Sequence, residues 1–272
     1  MNKAGNIKIM GIVNLTDDSY FAESRCVDVP SALERVSRML EEGADIIDIG
    51  ACSTRPGSLP VGADEEWCRL APVLTALKQH FPDITISIDT YWSSVVKNAF
   101  DLIGPFIVND ISAGEADPQM LSTVGSLGLT FVAMHMRGMP EDMQSHTDYS
   151  NVAQEVALYF EEFAKKADEA GIKDWILDPG FGFAKTLEQN YELLRDLRSL
   201  KSVKRSDGSC PPLLVGVSRK SMIYKRFCIS PEESLPATQV VHFAVLQCGA
   251  EILRVHDVAE ARRTVLIYQS LA

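Results

Sequence analysis

Eight short apolar runs, each closed by a polar residue and separated by helical or loop segments, constrain this chain more than anything else in its sequence. The runs are Ile7–Val13, Ile46–Ile49, Thr85–Ile88, Phe106–Val108, Thr130–Met134, Trp175–Leu177, Leu213–Val217 and Ile252–Val255. Several are rich in β-branched residues, and they lack a polar face. They therefore read as parallel strands covered on both sides. Helical patterns fill the gaps: Ala32–Glu42, Glu65–Gln79, Val152–Ala170, Leu187–Leu200, Pro236–Gln247 and Val258–Leu271. The first places Leu33, Val36 and Leu40 on one face and stops at Gly43, a natural C-terminal cap. Tyr91–Phe100 and Pro118–Val124 are shorter and weaker. Eight strands alternating with helices predict an α/β protein, a (β/α)8 TIM barrel, with an open doubly wound sheet as the alternative. A barrel of this kind takes about 250 residues. With no linker or composition shift, residues 1–272 read as a single domain.

The polar residues that end the strands sharpen this expectation. In chain order they are Asn14, Asp48 leading to Ser53-Thr54-Arg55, Asp89, Asn109-Asp110, His135, Asp178, Ser218-Arg219-Lys220, and Arg254 with His256. Any single one could merely close a strand. In a barrel all eight would meet at one mouth, where active sites of this fold lie.

Charge limits the partners. With 26 Lys+Arg against 37 Asp+Glu, the net charge is −11. No basic surplus exists to release phosphate counterions, so nucleic acid is not expected as a partner. No apolar run reaches the roughly 18 residues of a membrane span, and no signal peptide is evident at the N-terminus. The six cysteines contain no C-x-x-C pair and read as reduced thiols of a cytoplasmic protein without structural zinc. An anionic substrate would need local positive charge.

The candidate motifs differ in weight. Asp178-Pro-Gly-Phe-Gly-Phe-Ala-Lys185-Thr186 imitates a phosphate-binding loop, but Pro179 and Ala184 stand where its glycines are required. It reads as a strand carboxylate followed by a Gly-rich turn. Asp89 alone could cap the next helix. Asn109 and Asp178 occupy the same strand-end position, so together these groups could hydrogen-bond a planar, donor-rich heterocycle, with Lys220 donating to its carbonyl. Arg55, Lys220, Arg254 and His256, with Asn14 nearby, form a candidate anion-binding set. His135 has no second ligand at metal spacing and reads as a packed or hydrogen-bonded histidine. Glu161-Glu162 with Lys165-Lys166 reads as an i,i+4 paired solvated helix face.

Taken together, the stretches Ile9-Met-Gly-Ile-Val-Asn14, Asp48-Ile-Gly50, Ser53-Thr-Arg-Pro-Gly57, Ser87-Ile-Asp-Thr90, Asn109-Asp-Ile-Ser112, Met134-His-Met-Arg-Gly138, Asp178-Pro-Gly-Phe-Gly182, Ser218-Arg-Lys-Ser221 and Arg254-Val-His-Asp257 resemble the dihydropteroate synthase family over nearly the whole chain. The resemblance implies a (β/α)8 barrel that joins 4-aminobenzoate to 6-hydroxymethyl-7,8-dihydropterin diphosphate, releasing diphosphate. It also implies inhibition by sulfonamides and a homodimer through the late helices. By resemblance, Asp89, Asn109, Asp178 and Lys220 hold the pterin and Arg254 stacks over it. Asn14, Arg254 and His256 bind the diphosphate, with Mg²⁺ reached through Asn14 and Asp18. Tyr20, Thr54, Arg55, Pro56, Phe183, Lys185 and Ser218 line the aminobenzoate side. The catalytic set is then Asn14, Asp18, Arg55, Lys220, Arg254 and His256.

The chain departs from the family pattern in its first loop. Asp17 stands for a proline that would stiffen it, and Tyr20 for a phenylalanine. Cys52 also replaces a frequent glutamate. Two further readings remain at this level: a methyltetrahydrofolate-dependent corrinoid methyltransferase domain, and a non-catalytic pterin-binding protein.

Overall fold

The computed structural model describes residues 7–15, 28–51 and 61–271. Among them, eight parallel strands alternate with helices: β1 (Lys8–Asn14), α1 (Val29–Glu41), β2 (Ile46–Gly50), α2 (Ala63–His80), β3 (Ile86–Asp89), α3 (Ser93–Ile103), β4 (Ile107–Asp110), α4 (Met120–Leu127), β5 (Thr130–Met134), α5 (Val152–Glu169), β6 (Trp175–Asp178), α6 (Leu187–Arg195), β7 (Leu214–Val215), α7 (Ser221–Phe227), α8 (Leu235–Gln247), β8 (Ile252–Val255) and α9 (Val258–Leu271). The strand order β6-β5-β4-β3-β2-β1-β8-β7 is that of a rolled sheet, because β1 pairs with both β2 and β8. A parallel bridge between Leu177 and Leu213, with the Leu177 N–H donating to the Pro212 carbonyl at 2.9 Å, brings β6 to β7. The fold is the (β/α)8 barrel, and the open doubly wound sheet is ruled out.

Strand alternation divides the apolar side chains into two populations. Met10, Ile46, Val132, Ile176, Leu214 and Ile252 form a compact cluster inside the barrel. The residues next to them in sequence, among them Ile9, Ile47, Leu177, Val215 and Leu253, face outward into the larger core under the helices. Successive side chains on a strand point to opposite faces, so both sides of each strand are apolar for different reasons. Burying one such side chain stabilises the fold by about 1.5–3 kcal/mol.

The strands run further than the apolar pattern suggests. β3, β4 and β6 include Asp89, Asn109-Asp110 and Asp178, held in register by pairings such as Asp89 with Asn109 and Met134 with Asp178. The Leu187–Leu200 pattern divides into α6 and a 3₁₀ segment, Leu197–Ser202. The seven residues of α7 are too few to show a helical period, and the sequence gives no sign of it. The expected pairing of Glu161-Glu162 with Lys165-Lys166 does not form. Lys166 reaches Glu115 instead, at 3.4 Å.

Candidate active site

The site is built by the same alternation, one step further along each strand. Two residues past the inward Ile46, Ile107, Ile176 and Ile252 come Asp48, Asn109, Asp178 and Arg254. Asp89 lies level with Asn109. The barrel interior thus changes from apolar to ionic within one strand repeat, at the C-terminal ends where sites of this fold lie.

One half of the mouth is acidic. Arg254 donates through Nε to Asp48 Oδ2 and through Nη2 to Asp89 Oδ2, both at 2.6 Å, and Asn109 Nδ2 donates to the same Asp48 oxygen at 3.1 Å. Gly50 sits close enough to Asp89 that an added Cβ would meet its Cβ at 3.3 Å. Burial pushes the Asp89 carboxyl above its ordinary range while Arg254 opposes the rise. Arg254 itself is held more firmly protonated, because Asp48 and Asp89 outweigh its burial. Behind them, Glu66 on α2 is fully buried, and burial lifts it to about 7. Asp110 accepts from Ser112 N, Ser112 Oγ and Gly114 N at 2.7, 2.7 and 2.8 Å, closing its own loop, and burial raises it to about 6.

The other half is cationic. Lys185 is buried, with Nζ donating to the carbonyls of Gly180 and Phe183 at 3.1 and 3.0 Å and lying 3.0 Å from His135 Nδ1. Burial drives it down to about 7. Burial and Lys185 also hold His135 well below the usual histidine range, so its ring is a neutral acceptor packed edge-on to Tyr159. Lys220 donates to the Phe181 carbonyl at 2.6 Å and lies 4.7 Å from the centre of the Phe183 ring. Burial lowers it to about 8, against the pull of Asp178. Asp178 accepts from the Gly180 N–H at 2.8 Å, and burial raises its pKa. Gly180, at φ +68°, is the one residue type this turn accepts: a Cβ there would lie 2.0 Å from the His135 carbonyl oxygen.

The tips of β7 and β8 are latched together. Ser218 Oγ accepts the His256 N–H at 3.2 Å, and Arg219 grips Asp257 through two bonds of 2.9 and 2.8 Å. Arg35 on α1 donates to the His256 carbonyl at 2.7 Å. Burial and Arg254 push the His256 imidazole down to about 3, so it is neutral at pH 7.

The structure therefore brings Asp89, Asn109, Asp178, Lys220 and Arg254 together at one mouth, with Phe183 beside Lys220. Asn14 ends β1 and His256 follows β8. Asp18, Tyr20, Thr54, Arg55 and Pro56 lie outside the described residues, as do Asp17 and Cys52. Lys185 points inward to the backbone of its own loop, where three acceptors surround its amine. One expectation changes. Asp89 does not cap α3, whose first N–H, that of Ser93, is taken by Asp117 at 2.8 Å. Among the described residues no group of three or more acidic, Cys or His side chains could hold a metal.

The sequence and the fold resemble those of known proteins. A model of the pterin binding enzyme family matches residues 10–256. Dihydropteroate synthase of Haemophilus influenzae is 38% identical over 267 residues, covering 97% of this chain and 94% of that protein. The chain belongs to the dihydropteroate synthase family. A crystal structure of the Yersinia pestis dihydropteroate synthase in a sulfonamide drug complex superposes with a TM-score of 0.91 at 35% identity, covering 98% of this chain and 95% of that one. The folic acid synthesis protein fol1 of Pneumocystis carinii is 41% identical over 258 residues, and the chain spans about a third (34%) of its length.

Sequence reasoning left the contacts of several framework residues unread. Asp48 was visible as a strand tip, and its spacing from Ile46 is the signal that it points inward. Glu66 is hidden in the run Asp64-Glu65-Glu66, which resembles the acidic first turn of any helix. Arg219 and Asp257 come from distant segments, and nothing in either one announces the pair.

Proposed function

We propose that the chain is a transferase that condenses 6-hydroxymethyl-7,8-dihydropterin diphosphate with 4-aminobenzoate to give 7,8-dihydropteroate and diphosphate. The observation that carries this reading is the ring of inward polar residues Asp89, Asn109, Asp178, Lys220 and Arg254 on a family-matched barrel. Asp89, Asn109 and Asp178 accept from the pterin's N–H groups, while Lys220 donates to its carbonyl. Arg254 lies over the ring. With Asn14 and neutral His256, it also donates to the diphosphate.

The C–O bond to the diphosphate breaks before the arylamine attacks, since an electron-rich pterin stabilises the developing cation. Buried carboxylates in a dry mouth favour that cation, and fixed donors favour the departing anion. The arylamine nitrogen forms the new C–N bond and then gives up its proton. It is already nucleophilic, so no activated serine, cysteine or strong base is needed.

By resemblance Tyr20, Thr54, Arg55, Pro56, Phe183 and Ser218 would contact 4-aminobenzoate, and sulfonamides, one of which is bound in the Yersinia relative, would compete there. Lys185 acts from beneath, bracing the loop that carries Phe183. Asn14 and Asp18 offer hard oxygen donors suited to Mg²⁺, which takes few protein ligands alongside substrate phosphates. When bound, the ion supplies charge neutralisation for the leaving diphosphate.

No helix among the described residues is long and apolar enough to cross a membrane. Val240 on α8 and Leu266, Ile267 and Leu271 on α9 are exposed large apolar residues and support a homodimer through these helices. Val240→Asp combined with Ile267→Asp should shift the sedimentation coefficient to that of a monomer.

The functional test incubates the protein with Mg²⁺, the pterin diphosphate and 4-aminobenzoate, and follows both products. Equal amounts of dihydropteroate and diphosphate, requiring both substrates, are expected. Folded protein that releases neither would overturn the assignment.

A further inference from the structure

Arg254 makes two contacts of equal length to carboxylates in unequal positions. Asp48 is sealed inside the barrel at 0% exposure, whereas the Asp89 side chain retains 16% at the mouth. A single Asp48 oxygen, Oδ2, accepts from both Arg254 Nε and Asn109 Nδ2. Its other oxygen has no hydrogen-bond partner among the described residues.

A donor-rich ring entering the mouth meets Asp89, not Asp48. To take the place on Asp89 Oδ2 that Arg254 Nη2 occupies, it displaces that N–H. If Asp89 were the sole partner of Arg254, that exchange would leave a guanidinium unpaired inside the barrel, which is unfavourable. The Nε contact to Asp48 removes this obstacle. The guanidinium stays paired, turns about its Nε–H, and frees its outer fork.

We propose that Asp48 is a positioning residue for the pterin site. It is the fixed partner of Arg254 and Asn109 that allows Asp89 to exchange arginine for substrate. The inference rests on the pterin assignment above, and its failure can be told apart from the failure of that assignment. Asp48 does not touch the pterin. It acts through Arg254 and Asn109, so its loss should appear in pterin affinity rather than in every property of the site.

The test is Asp48→Asn in the full chain, which keeps the shape and removes the charge. The KM for the pterin diphosphate should rise about tenfold or more, as expected for weakening a charge-assisted hydrogen bond. The KM for 4-aminobenzoate should stay within about twofold, because the change is felt on the pterin side. Equal shifts in both KM values, or no shift in either, would overturn the proposal.

A second measurement on the unaltered protein covers the case in which Asp48→Asn does not fold. In ¹⁵N NMR the Arg254 Nε–H signal, assigned through Arg254→Lys, should be protected from solvent exchange before and after saturation with 6-hydroxymethylpterin. Loss of protection on adding the pterin contradicts a fixed Asp48 partner. Wild-type protein that neither turns over nor binds the pterin breaks the functional assignment instead.

Discussion

The two halves of the barrel mouth solve opposite electrostatic problems. On the β2–β4 side, Asp48, Asp89, Asp110 and Glu66 crowd together with Arg254 as the principal cation bonded among them. On the β5–β7 side, Lys185 is buried and Lys220 half-buried, both satisfied largely by backbone carbonyls, while His135 is held neutral. Carboxyl pKa values rise on the first side and amine values fall on the second, with burial the leading cause on both. The arrangement separates charge across one mouth. A neutral heterocycle with several N–H donors suits the first half, and anionic groups suit the second.

Removing the cation nearest the substrate should disturb this division most. Lys220→Ala should lower kcat/KM by about 100-fold, since the charged donor to the pterin's carbonyl in a dry site is lost. A loss below about threefold would detach the cationic half from the chemistry. On the acidic side, Arg254→Gln leaves Asp48 and Asp89 buried without their partner. Chemical denaturation should report a stability loss of about 3–5 kcal/mol at neutral pH. An unchanged midpoint would mean the acidic half does not depend on its arginine.

The halves should also respond to pH with opposite signs. Lys185 has a folded value of about 7 against an ordinary 10.5, so between these limits the unfolded chain binds the extra proton. Stability from this group therefore rises with pH from about 7 to 10.5. Lys185→Met should flatten that rise by about 2 kcal/mol in urea melts at pH 7 and 10, and an unaltered slope would contradict the burial of its amine. Glu66 is the reverse. Raised from 4.5 to about 7, it binds a proton in the folded state that the unfolded chain has lost, so stability falls as pH rises through that window. Glu66→Gln should reduce the fall by about 1–2 kcal/mol, leaving a residual slope from Asp89 and Asp110. A slope equal to the wild type would place Glu66 in water.

Most of the barrel was legible because a buried parallel strand has a strong signature and the strands are regularly spaced. The ends were less so. Asp89, Asn109 and Asp178 belong to the ladders, yet an apolar-run criterion stops just before each, since polarity is what makes them both strand tips and site residues. The convergence of Asp89, Asn109, Asp178, Lys220 and Arg254 was legible from position, as strand-end residues in a barrel must converge. The direction of Lys185 was not, because a lysine in a Gly-rich loop carries no sign of whether its amine turns outward to ligand or inward to three acceptors. The same holds for the protonation of His256, which depends on Arg254 and burial rather than on any neighbour in sequence.

The acidic half as a seat for the pterin is tested most directly by calorimetric titration of 6-hydroxymethylpterin, which lacks the diphosphate and so reads the ring's contacts alone. Wild-type protein should bind it, and Asp89→Asn should bind about 100-fold more weakly, as expected when a charged acceptor in a buried site is lost. Equal affinity for the two proteins, or no binding by either when folded, would contradict the account.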